Sequence, residues 1–202
     1  MGQYYRNTIL KKNWKQAQRV TEMSLCPYHF DNGAKLMEFS YIGNTLMRSV
    51  EYLLANDYNG YPFVTVGDYA DEKTTTFYKS GGLDVYSHSS DYEDTEEYKE
   101  IIKDIPKRED IPYYPYLVNY TKGVYVKLPK YDDTKWQVHP LSLLCCDGNG
   151  RGGGDYFLQD DNYNYELDER IGSWAYDKIG VTDDERYIDG LKEVDGYFKS
   201  DW

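Results

Sequence analysis

Cationic side chains are scarce in this chain of 202 residues. Its 23 Lys and Arg stand against 35 Asp and Glu, for a net charge of −12. That shortage argues against nonspecific nucleic-acid binding and against anionic membranes, since both need Lys and Arg to displace counterions. Cysteine is just as scarce. Cys26, Cys145 and Cys146 are an odd set with two neighbours adjacent in sequence. That is not a disulfide framework, and it points to a reducing, cytoplasmic compartment. No apolar run approaches the roughly 18 residues of a membrane span. The first residues lack a signal peptide's apolar region. Gly2 is not in a myristoylation pattern, because Arg6 stands where Ser or Thr is required. No HExxH, CxxC or GxSxG occurs, so no cofactor, no metal and no catalytic residue are expected.

Phe is sparse too, at 6 against 24 Tyr. A Tyr ring can be buried while its hydroxyl stays wet, so the excess suits a binding surface as well as a sheet. With 40% hydrophobic residues the chain can bury a core, and 1–202 reads as one domain.

Along the chain, "GQYYRNTIL" and "KQAQRVTEM" read as a hairpin around Lys11–Asn13. In "NTLMRSVEYLLAN" the residues Leu46, Met47, Val50, Leu53 and Leu54 recur at helical spacing, with Asn44 placed to cap. "YPFVTVGDYADE" reads as a strand through Val66 that ends in an acidic turn. "SSDYEDTEEYKEIIKDIP" reads as one helix with a capping box of Ser90 and Glu93, stopped by Pro106. "YLVNYTKGVYVKL" is a hairpin turning at Thr121–Gly123. "HPLSLLCC" is either a strand or a buried turn of helix. "SWAYDKIGVTDDE" reads as a strand. The carboxylates ending "GDYADE" and "VTDDE" read as turn residues rather than metal or acid–base pairs.

At an offset of 113 residues the chain echoes itself. Tyr61 falls on Trp174, Val66 on Ile179, Gly67 on Gly180, Pro27 on Pro140, and the first hairpin on the second. The expected fold is therefore α+β, a mainly antiparallel sheet with a few amphipathic helices and two pseudo-repeated halves, 1–90 and 111–190.

Five glycines surround Arg151 in "CDGNGRGGGDY". Gly148, Gly150, Gly152, Gly153 and Gly154 permit a backbone whose amides converge on an anion, and Arg151 offers a fork for phosphate. The spacing is neither a Walker loop nor GxGxxG. As a calcium loop it fails, with Arg151 at the fifth position and Leu158 at the twelfth. The competing reading is a surface corner. His139, seven residues before the loop, is a candidate ligand-binding or acid–base group, or else a packed residue. Trp174 is a candidate for stacking on a base. His88-Ser89-Ser90 supplies one H-x-[ST] motif, but neither His29 nor His139 supplies the second that a two-histidine phosphoesterase needs. The acid-rich run "DYFLQDDNYNYELDE" suggests a decoy face for a basic groove, with Asp160, Asp161 and Glu166 at the interface.

"KLMEFSYIGN", "GDYADE", "HPL", "GNGRGGGDY" and "GSWA" resemble the motifs of a family of small phage, prophage and bacterial proteins without a described activity. The resemblance implies a mobile-element origin and a role in phage–host conflict, and it supplies no catalytic residues. Three functions follow as expectations. The first is a binding protein that sequesters a phosphorylated, nucleotide-like ligand through Arg151, the glycine amides, His139 and Trp174. The second is an acidic, Tyr-rich inhibitor that covers a basic host protein. The third is a hydrolase acting on a nucleotide with His139 as acid–base group.

Overall fold

The computed structural model describes residues 2–17, 19–70, 85–159, 165–166 and 168–199. Its frame is an eight-stranded, mostly antiparallel sheet. The strands are β1 (Tyr5–Leu10), β2 (Thr21–Leu25), β3 (Tyr61–Gly67), β4 (Tyr116–Asn119), β5 (Val124–Lys127), β6 (Cys146–Asp147), β9 (Lys178–Thr182) and β10 (Lys192–Glu193). The order is β10-β5-β4-β9-β3-β1-β2, with β6 also on β3. β7 (Leu158–Gln159) and β8 (Tyr165–Glu166) form a separate antiparallel pair. The α+β expectation holds.

The sheet carries the echo in its geometry. β3 runs antiparallel to β1, and β9 runs antiparallel to β4. Tyr5 opposes Gly67 in the first pair, and Val118 opposes Gly180 in the second, each residue displaced by 113. The two three-stranded units meet where Tyr61 of β3 opposes Ile179 of β9. Pro27 and Pro140 also correspond. Each opens a short helical turn, Pro27–Phe30 in the first half and Pro140–Leu144 in the second. Proline suits that position because its missing N–H would have no helical partner there.

The helices diverge between the halves. α1 (Leu36–Phe39) is short, and α2 (Thr45–Ala55) follows it. Asn44 Oδ1 caps α2 by accepting from the amides of Leu46 at 2.9 Å and Met47 at 3.4 Å. Leu46, Met47, Val50, Leu53 and Leu54 are all buried in the main core, as their spacing predicts. Each contributes about 1.5–3 kcal/mol relative to exposure.

The second helical stretch is two helices rather than one. α3 (Val85–Glu93) ends, and α4 (Glu96–Asp104) begins with Thr95 Oγ1 accepting from Tyr98 N at 3.2 Å. Ser90 and Glu93 are therefore not a capping box. Glu93 is drawn instead to Arg6 on β1 and to the Ser24 hydroxyl, which donates to it at 2.7 Å, while Ser90 Oγ accepts from Arg6 Nη2 at 3.2 Å. These polar contacts hold α3 against β1 and β2. Burial pushes the Glu93 carboxyl above its ordinary value, and Arg6 opposes that shift. "HPLSLLCC" resolves into α5 (Pro140–Leu144) followed directly by β6.

Candidate functional site

The glycine loop leaves β6 and returns to Asp155, which is buried. Gly148, Gly150 and Gly154 have positive φ, of 116°, 88° and 89°. That conformation gathers amides as expected, because only glycine adopts it freely. The anion they meet comes from the loop itself. Asp155 Oδ2 accepts from Gly150 N at 2.7 Å, Arg151 N at 2.8 Å and Gly152 N at 3.0 Å. Its Oδ1 accepts from the Tyr5 hydroxyl at 2.7 Å. Burial beside this carboxylate and Cys146 pushes the Tyr5 hydroxyl far above its ordinary value.

One guanidinium nitrogen of Arg151 is committed too. This Nη1 donates to the carbonyls of Tyr69 and, at 3.0 Å, Ala70, tying the loop to the end of β3. Gly152 lies so close to Gln3 that a Cβ there would come within 2.7 Å of the Gln3 amide. Gly153 bridges to Gly2, and Gly154 O accepts from Met37 N at 3.1 Å. The carboxylate of Asp155 thus stands where a phosphate was expected. The loop geometry matches a packed corner.

His139 is fully buried. Its Nδ1 accepts from Leu141 N at 3.1 Å and caps α5. That leaves the ring proton on Nε2, which donates to Glu51 Oε1 at 2.8 Å. Both ring nitrogens are therefore engaged inside the protein. Glu51 also pairs with Arg48, whose Nη2 donates to Ile111 O at 2.7 Å and Pro112 O at 2.6 Å. Trp174 is buried in the main core, with its amide on Leu144 O at 2.7 Å. Arg151, His139 and Trp174 do not line the groove described below. Asp160 and Asp161 lie outside the described residues, and Glu166 lies in β8. All three cysteines are buried, and burial pushes the Cys145 and Cys146 thiols up, which makes them poor nucleophiles. Among the described residues no group of three or more His, Cys, Asp or Glu is placed to hold a metal. Among them too, no helix is long and apolar enough to cross a membrane.

A groove above the Arg48–Glu51–His139 network is open. Ser40–Ile42 runs beside Gln137–His139, with Ile42 N on Gln137 O at 2.9 Å and His139 N on Ser40 O at 2.8 Å. This pairing sets the charged loop 129–136 over the start of α2. Arg48 in turn anchors the segment after the Arg108–Asp110 turn, which makes the facing wall. Tyr131 lies across the middle. Its ring rests on Gly43, where a Cβ would fall 1.9 Å from a ring carbon and φ is +80°.

Two hollows flank Tyr131. The larger, about 440 Å³, is lined by Arg48, Glu51, Glu109, Tyr113 and Lys130. The smaller, about 290 Å³, is lined by Tyr41, Asn44, Asp132, Asp133, Lys135 and Trp136. Ile42, Gly43, Arg108 and Tyr131 border both. Trp136 is 69% exposed and Tyr131 51%. The Arg108 guanidinium is 5.6 Å from the Tyr131 ring centre, and Lys130 Nζ is 5.6 Å from the Tyr113 ring. Lys135 pairs with Asp132 at 3.6 Å, and Glu38 with Lys35 at 3.6 Å. Arg108 and Lys130 make no ion pair among the described residues, so their charge faces the groove.

Sequence reasoning passed over these residues, although one signal was there. Glu51 lies on the buried stripe of α2 between Met47 and Leu54, and a carboxylate on such a stripe needs partners. Arg108, Tyr131 and Trp136 come from two separate loops whose meeting no local pattern announces. No family model matches this chain, and no curated protein or solved structure matches it.

Proposed function

We propose that the chain is a non-enzymatic binding protein for a phosphorylated, nucleotide-like ligand, and that the ligand enters the groove between Ile42–Asn44, Arg108 and loop 129–136. The carrying observation is Arg108, exposed and beside the Tyr131 ring, with Lys130 and Trp136 to either side. A guanidinium beside exposed rings offers phosphate a fork and a base a stacking surface. The engaged nitrogens of His139 support binding over proton transfer, since neither is left to give or take a proton from a ligand. The resemblance to phage and prophage proteins supports sequestration of a nucleotide signal during phage–host conflict as the setting. Calorimetry of the protein against a panel of linear and cyclic nucleotides tests the reading. Binding that falls ten- to a hundredfold in Arg108→Ala, about the loss expected for one charge-assisted contact, is the expected result. No binding by any member of the panel would sink it.

A further inference from the structure

We infer that the groove takes two nucleoside units joined through a phosphodiester, with one base on each side of Tyr131 and the bridging phosphate on Arg108. This rests on the nucleotide-binding reading above and narrows it to a ligand class. The two hollows have separate aromatic walls, Tyr113 in the larger, Tyr41 and Trp136 in the smaller. Tyr41 and Trp136 pack edge to face at 5.1 Å, and the indole is still 69% exposed. A single nucleotide occupies one hollow and leaves the other empty. Arg108 and Tyr131 border both, so Arg108 is placed for a group that passes from one hollow to the other.

The charges favour a diester over a terminal phosphate. Among the cations that line the groove, Arg108 and Lys130 make no ion pair with the described residues, and exposed Glu109 and Asp133 line it too, one in each hollow. A phosphate monoester carries about −1.5 to −2 near neutral pH. A diester carries a single charge, which one guanidinium can match. The carboxylates therefore penalise the monoester more.

The test is titration of the full chain with AMP, GMP and the dinucleoside monophosphates ApA and GpG, followed by calorimetry. A dinucleoside monophosphate should bind one per chain, ten- to a hundredfold tighter than its mononucleotide, about the gain from stacking a second base. Trp136→Ala should weaken ApA and GpG more than AMP and GMP, so that the gain is lost, and Trp136→Tyr should restore part of it. The high exposure of Trp136 keeps both variants folded, which a thermal melt checks. The inference is overturned if ApA and GpG bind no tighter than AMP and GMP, or if Trp136→Ala leaves the gain intact. Mononucleotide binding that still needs Arg108 would then keep the broader reading, whereas silence from all four ligands would overturn this inference and leave the broader reading to the wider nucleotide panel.

Discussion

The glycine loop and the Tyr131 groove hold similar chemistry in opposite states. Both bring cationic or N–H groups to one place. In the loop three amides are already answered by Asp155, and Nη1 of Arg151 by two carbonyls. In the groove Arg108 and Lys130 face open space beside exposed rings. Glycine content and a nearby Arg therefore do not distinguish a ligand cradle from a self-filled one. What distinguishes them is whether the chain supplies its own anion.

Substitutions can break this contrast. The largest effect is expected at Asp155. Asp155→Ala leaves three amides and the Tyr5 hydroxyl without their acceptor and should cost on the order of 3–5 kcal/mol. A denaturant melt that moves by less than about 1 kcal/mol would show that the loop does not depend on its carboxylate. Arg151→Ala comes next, at about 1.5–3 kcal/mol, because two buried-side carbonyls lose a charged donor. Nucleotide affinity should not change in that variant, and a loss of affinity without a loss of stability would return the ligand to the glycine loop.

Smaller effects are expected in the groove. Gly43→Ala puts a methyl where the Tyr131 ring lies and holds Ala at φ +80°, which should cost about 1–2 kcal/mol. It should also push Tyr131 off its seat and change ligand affinity, visible as a shift in Tyr fluorescence and in calorimetry. Arg108→Ala should be the mildest for folding, within about 0.5 kcal/mol, as befits an exposed side chain without an ion pair. Its affinity loss should still be the largest of the four. A melt that drops sharply in Arg108→Ala would mean that this arginine, like Arg151, is a strut.

Much of the frame was legible. Strand and hairpin positions follow from alternation and turn residues, and α2 follows from its stripe and the Asn44 cap. The 113-residue offset, faint as residue identity, coincides with the shared register of β1/β3 and β4/β9. Backbone register tolerates many side chains, so a repeat can persist in pairing after it has faded from sequence. The break between α3 and α4 was not legible. Ser90 and Glu93 have the spacing of a capping box, and only their nearness to Arg6 on another strand draws them away.

By itself the sequence determined the class of fold, the position of most strands, the α2 core face and the unusual backbone at Gly148, Gly150 and Gly154. These depend on periodicity, on glycine's freedom and on residues close along the chain. Tertiary structure alone decided which polar groups are consumed and which remain open. Tyr5 reaches Asp155 across 150 positions, and His139 reaches Glu51 across 88. Arg108 and Tyr131 meet only because Arg48 and the Ser40–Ile42 pairing hold their loops face to face. A side chain's chemistry is written in its type. Whether that chemistry is spent inside the fold depends on partners far away in sequence, and those partners are set by packing.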